Sequence, residues 1–300
     1  MDSIQSAKVG VVTVTYNSGD VIDEFMTSLL AQDHQNYILY VVDNASSDNT
    51  LSKVSKYQDD RIVIISNKDN VGVAKGNNQG ISASIIDGCS HVLLINNDTV
   101  FGNQLVTGLL LELENYQCDL IAPKIMYHDK PSMIWFAGAY FKPLAAYDAR
   151  HYGIGQVDKG QYDTAKAVDF NTTCCNLIKV NVFNSIGMMD EKYFVYLDDV
   201  DFGYRTMKNG FISFYTPKVN MYHKVSSLTG GDDSDFTTYH LVKNRVYFIR
   251  KFLSLPFIIY GIFFCQSRYF AKFLMRRESW KRFKLRQSSF KEGFGVEVSR

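Results

Sequence analysis

The five cysteines of this chain, Cys89, Cys118, Cys174, Cys175 and Cys265, are odd in number and include no CxxC pair. Neither a disulfide framework nor a cysteine zinc site is indicated. The N-terminus lacks a basic segment followed by an apolar one, so no signal peptide is read and a reducing, cytoplasmic location is expected. No apolar run reaches the roughly 20 residues of a membrane-spanning helix; the strongest, 252–265, is shorter and holds Pro256 and Gly261. Net charge is only +1, so no overall field favours nucleic acid, and none is expected as a partner. GxGxxG and Walker loops are missing, as are internal repeats and low-complexity tracts.

What is present is a globular composition, 46% hydrophobic and 21% charged, rich in tyrosine (19) and phenylalanine (21). Such aromatics suit sugar sites or a membrane-facing surface, and equally an aromatic core. Residues 8–16 are a β-branched apolar run ending in Asn17-Ser18-Gly19, the pattern of a buried parallel strand and its loop. Helical spacing follows over 20–32, then strands are predicted at 38–43, 61–66, 91–95 and near 119–122. Helices over about 50–57, 73–87 and 103–116 separate them. Alternation of this kind predicts an α/β fold with a doubly wound, mostly parallel sheet and helices on both faces. The domain is read as 1–250, with an apolar then basic helical tail over 251–300. That tail carries nine Lys/Arg against one Glu over 266–291. It suits an anchor lying in the plane of an anionic membrane surface, or else a packed helix pair or dimer contact.

Polar residues cluster just after strand ends, where open α/β sheets bind ligands. Asp43 there can accept from ribose hydroxyls or a base N–H, or can simply form a turn. The segment Asn70 to Gly80, with Lys75, Gly76 and Asn77, can present N–H groups and a cation to phosphate; otherwise its glycines serve close packing. Asp98 follows Asn96 and Asn97 at a strand end, and is either a ligand for Mg2+ or Mn2+ or an Asx turn. Asp198, Asp199 and Asp201 lie within four residues and repel one another unless a cation, a proton or solvent relieves them. One of them is a competent general base for a sugar hydroxyl; the bland reading is a helix N-terminus. His223 either completes a cation site or is structural.

In this order the segments resemble the family 2 glycosyltransferases, of GT-A fold. Val14, Thr15, Tyr16 and Asn17 look like that family's opening strand and donor loop, and Val41 to Asp48 like its nucleotide-binding strand. Asn70–Gly80 resembles its Gly/Asn-rich segment, Asn96-Asn97-Asp98 its DxD motif, Gly187–Glu191 its lead-in to the acceptor-side helix, and Asp198-Asp199 its Glu-Asp pair. The likeness covers about residues 8–250 and is nearest to the rhamnosyltransferase-like branch of bacterial surface polysaccharide synthesis, O-antigen included. It implies an inverting, metal-dependent enzyme that moves a sugar from a nucleotide diphosphate, dTDP-rhamnose first and a UDP-hexose next. The acceptor would be a saccharide or lipid-linked saccharide at the cytoplasmic face of the inner membrane. Thr15, Tyr16, Asn17, Asp43, Lys75, Gly76, Asn77 and Asn97 would hold the donor. Asp98 and His223 would bind Mg2+ or Mn2+, Asp199 or its neighbour Asp198 would be the base, and Cys175, Asn176 and Asp201 would face the acceptor. Two departures stand out: Asn96 replaces the first DxD carboxylate, and Asp198 replaces the usual Glu. A non-catalytic sugar-binding protein of the same fold is the alternative, and a nucleotidyltransferase is disfavoured by Tyr16-Asn17-Ser18 after the first strand. Acceptor, linkage and oligomeric state stay open.

Overall fold

The computed structural model of the protein describes residues 2–225 and 234–298. After a short helix α1 (Asp2–Ser6), four strands run parallel: β1 (Val9–Thr15), β2 (Tyr37–Asp43), β3 (Ile62–Ser66) and β4 (His91–Ile95). The crossovers are α2 (Ile22–Leu30), α3 (Thr50–Val54) and α4 (Val73–Ile86). Val9, Val11, Val12, Leu39, Val41 and Leu93 are fully buried, as expected for strands covered on both faces. Helix α4 lies close on β1 because Gly76 and Gly80 face it. A Cβ on Gly80 would stand 2.3 Å from a methyl of Val12, and one on Gly76 3.0 Å from Val14.

The second half departs from a parallel sheet. It holds β5 (Thr99–Phe101), α5 (Leu105–Asn115), β6 (Leu120–Tyr127), β7 (Ile134–Phe136), a hairpin of β8 (Ala139–Lys142) and β9 (Asp148–His151), and β10 (Lys166–Val168). Then come β11 (Cys175–Lys179), α6 (Val180–Ile186), α7 (Asp198–Lys208) and β12 (Ser213–His223). The main sheet has the order β10-β12-β6-β11-β4-β1-β2-β3, with β5 on β12 and β7 on β6. β11 is antiparallel to both β4 and β6, whereas β12 is parallel to β6. The sheet is therefore mixed, with its parallel part where alternation predicts it.

Three helices close the chain: α8 (Asp235–Phe252), α9 (Leu255–Leu274) and α10 (Trp280–Gly295). The expected boundary at 250 falls inside α8. Pro256 sits in the first turn of α9, where its missing N–H costs nothing, so it starts this helix instead of weakening it. Gly261 lets α9 approach α8 and the β8–β9 link; a Cβ there would lie 2.9 Å from that of Ala146. The three helices share a small core of Val242, Val246, Ile249, Leu253, Cys265 and Phe290 under Ala146. The tail is thus packed on the domain, yet Leu255, Phe257, Ile259, Phe263, Phe270 and Leu274 of α9 stay exposed. Among the described residues, no helix is long and apolar enough to cross a membrane.

A buried ion network ties these helices to the sheet layer. Asp201, fully buried, accepts from Arg205 at 2.8 Å and from Lys251 at 2.6 Å. Lys251 also reaches Asp190 at 2.6 Å, and the Tyr247 hydroxyl donates to the same carboxylate at 2.7 Å. Arg205 further donates to the carbonyls of Ile186 and Met188. Removing one member strands buried charge on the others. Lys251→Met should destabilise the fold by about 3–5 kcal/mol, read as a lower urea midpoint at an unchanged slope.

Candidate active site

The C-terminal ends of β1 and β4 open into one cavity of about 1100 Å³. Small-molecule sites span roughly 300–1,000 Å³, so this one stands at the large end of that range. The pairing of β4 with β1 on one side and antiparallel β11 on the other sets Asn96–Asp98 against Thr172–Cys174. The Asn96 N–H donates to the Cys174 carbonyl at 3.0 Å. The β5–β12 pairing, with His223 opposite Thr99, carries His223 to the same place. Its Nε2 lies 3.2 Å from Asp98 Oδ1, and both side chains are nine-tenths buried. The Trp135 ring meets the His223 ring edge to face at 4.6 Å and also borders His151. Burial pushes the His151 ring down to about 4, which keeps it neutral. Asn97 anchors to the Val14 carbonyl through its amide nitrogen, and its buried Oδ1 has no protein partner.

The second pair of carboxylates comes from the first turn of α7, entered through a strained turn. Tyr196 and Leu197 both have φ of 63°, in the left-handed region unfavourable for such side chains. Asn244 of α8 holds this turn by donating to the carbonyls of Val195 and Tyr196 at 2.8 and 2.9 Å. The Tyr196 hydroxyl also meets Thr237 at 3.1 Å. Asp198 and Asp199 are thereby aimed into the cavity. Burial, and then the charge of Asp199, push the Asp198 carboxyl strongly upward, and its Oδ2 has no partner. Burial raises Asp199 too, but the N–H of Val200, the Thr172 hydroxyl and the Thr173 N–H donate to it and pull it back. Burial thus pushes both carboxyls up, and protein donors reach Asp199 but not the Oδ2 of Asp198, so Asp199 is the more firmly oriented of the two.

Thr15, Tyr16, Asn77, Asn97, Asp98, His223, Asp198 and Asp199 all line the cavity. Several other expected residues do not. Asp43 is buried beside Thr15, whose hydroxyl donates to it at 2.8 Å, and Ser46 donates through its N–H and its hydroxyl. Its carboxylate is used up shaping the loop, and Asn44 takes the place on the wall. Asn17, at φ 50°, accepts from the Ser47 N–H and likewise holds that loop. Lys75 points to solvent in a shallow groove away from the cavity, and Gly76 packs on Val14. Cys175 and Asn176 are buried in β11, and Cys174 lines the wall in their stead. Asp201 is spent on Arg205 and Lys251. Trp135, Thr172, Thr173 and Asn244 escape sequence reasoning because only strand pairing and helix packing bring them here.

A divalent cation fits the Asp98–His223 end. It offers a hard oxygen, an imidazole nitrogen and the unpartnered Asn97 oxygen at one cavity wall. Among the described residues no group of three His, Cys, Asp or Glu side chains could hold a metal. Such a cation would need further oxygens from a bound diphosphate.

Comparison with known proteins bears on the fold and the family. N-acetylglucosaminyl-diphospho-decaprenol L-rhamnosyltransferase of Mycobacterium tuberculosis is 24% identical over 77% of this chain and 80% of its own length. The dTDP-rhamnosyl transferase RfbF of Shigella flexneri is 22% identical over 82% and 81%. Among solved structures, GalNAc-T7 with UDP, GalNAc and Mn2+ superposes with a TM-score of 0.66 at 13% identity, over 96% of this chain and 56% of its own. The mannosyltransferase PcManGT of Pyrobaculum calidifontis, with GDP-Man and Mn2+, gives 0.58 at 14%, over 98% and 78%. These likenesses establish the GT-A fold. The model of glycosyl transferase family 2 matches residues 10–187, more than half of the sequence, and the chain belongs to that family of sugar-transferring enzymes.

Proposed function

We propose that the protein is an inverting glycosyltransferase that moves a sugar, rhamnose from dTDP-rhamnose in the first instance, onto a lipid-linked saccharide in bacterial surface polysaccharide synthesis. The observation that carries this is one cavity that holds both the Asp98–His223 pair and the oriented carboxylate side chain of Asp199. The names of the two rhamnosyl-transferring relatives supply the donor and acceptor class. The nucleoside would lie over Thr15, Tyr16, Asn44 and Asn77, with the diphosphate toward Asp98, His223 and Asn97. A Mg2+ or Mn2+ held there would supply positive charge to the departing diphosphate. Asp199 accepts the proton of the acceptor hydroxyl as its oxygen bonds to the anomeric carbon and the bond to the phosphate oxygen breaks. Burial pushes the Asp198 carboxyl up, and in its protonated form it adds no second negative charge beside the attacking oxygen. The exposed apolar side of α9 would rest on the cytoplasmic face of the inner membrane.

Stabilisation of the folded chain by one nucleotide sugar, dependent on Mn2+ or Mg2+, is the expected result of a thermal-shift screen. Silence toward every nucleotide and nucleotide sugar would sink the reading. Asp199→Asn should lower turnover by roughly a hundred- to ten-thousand-fold with nucleotide affinity nearly unchanged. In the parent enzyme, activity should fall with falling pH as Asp199 gains a proton, with a midpoint above the ordinary 3.8 because burial raises it. Asp98→Ala should weaken nucleotide-sugar binding in Mn2+ but not in EDTA; an equal response in both removes Asp98 from the cation site. Asn244→Ala should cut turnover by roughly tenfold or more and move the acid limb of the pH profile, since the Asp199 environment changes. A variant that loses only thermal stability would make Asn244 merely structural.

A further inference from the structure

The cavity wall is sharply divided by charge. The half built by β1, β4, α4 and the first turn of α7 carries Asp98, Asp198 and Asp199, and no Lys or Arg lines it. The other half, built by the β8–β9 hairpin and helices α8 to α10, carries Arg150, Arg245, Arg268, Lys272 and Arg286 against a single lining carboxylate, Asp148. Each arginine is held in place. Arg245 donates to the carbonyls of Ala145, Ala146 and Tyr147. Arg286 donates to Glu278 at 2.7 Å. Asp148 lies 2.5 Å from Arg150 and 3.6 Å from Arg268, orienting both. Cations fixed by protein groups lose little further freedom when an anion arrives.

We propose that this basic wall is a subsite for the diphosphate of a lipid diphosphate-linked acceptor. The inference rests on the glycosyl-transfer reading above and assigns its acceptor end. A diphosphate diester brings two negative charges, which the net positive wall can take without a metal. The donor diphosphate meets the opposite case, an acidic wall that requires a cation. Arg268 and Lys272 also stand on α9, the helix whose Leu255, Phe257, Ile259, Phe263 and Phe270 are exposed. Arg268 and Lys272 line the cavity, so the diphosphate would meet the arginines with the sugar reaching inward to Asp199, and the lipid would leave past α9.

The test is calorimetric titration of the full chain in detergent and EDTA with undecaprenyl diphosphate, against undecaprenol and vesicles of phosphatidylglycerol. Undecaprenyl diphosphate should bind without metal. In the variant combining Arg268→Ala and Lys272→Ala, both exposed positions, its affinity should drop about tenfold or more. Stabilisation of the same variant by nucleotide sugar with Mn2+ should match the parent, which also shows that it is folded. Equal affinity of variant and parent overturns the proposal. So does equal binding of undecaprenol, or complete displacement by phosphatidylglycerol, which would make the wall a general lipid contact. A nucleotide-sugar response with no selectivity for diphosphate removes the subsite alone; absence of that response removes the transferase reading with it.

Discussion

Strand β4 has a parallel neighbour, β1, on one side and an antiparallel neighbour, β11, on the other. At its C-terminal end, therefore, the loop after β4 meets the residues that lead into β11 from the opposite direction. Asp98 and Thr172–Cys174 share one space for that reason, although 74 positions separate Asp98 from Thr172 in the chain. The β5–β12 ladder adds His223 by the same logic of register. Were β11 parallel to β4, Thr172–Cys174 would enter it at the opposite end of the strand, away from Asp98.

Once carboxylates converge in a buried space, electrostatics governs what the space can do. Three of them line the half built by β1, β4, α4 and the first turn of α7, and no Lys or Arg of that wall offsets them. Burial pushes both carboxyls of the Asp198–Asp199 pair up, while Thr172, Thr173 and Val200 donate to Asp199 and pull it back. Asp98 has His223 and space for an external cation. Across the cavity the arginines meet the opposite need. On the readings proposed above, two anionic substrates would be handled by different means, one through a cation and one through fixed guanidinium groups.

The turn at Tyr196 and Leu197 connects this chemistry to the C-terminal helices. Two successive left-handed residues cost on the order of 1–3 kcal/mol each. They persist because Asn244 satisfies two carbonyls there and because the Lys251 network clamps α7 to α8. Helix α8 is accordingly part of the active site as well as the platform for α9 and α10.

The alternating period-2 and period-3.6 patterns of the first 125 residues, and the strand ends that follow them, were legible in the sequence because each is a local property. Asn97, Asp98, Asp198 and Asp199 could be picked out for the same reason, and the structure places them on one wall. Local reading stops where the partner is distant. Asp43 and Asp201 are carboxylates of the right kind, but whether a carboxylate faces ligand or protein depends on which donors packing brings to it: Thr15 and Ser46 for one, Arg205 and Lys251 for the other. Cys175 opens β11 opposite Ile95 and is buried, whereas Cys174, just before the strand, lines the cavity, a difference set by where the pairing begins. Composition and spacing thus determined the elements and the presence of adjacent carboxylates, and the motifs in their order carried the resemblance to the family. Tertiary structure alone decided which of them meet, because charge compensation and strand pairing join residues that no periodicity connects.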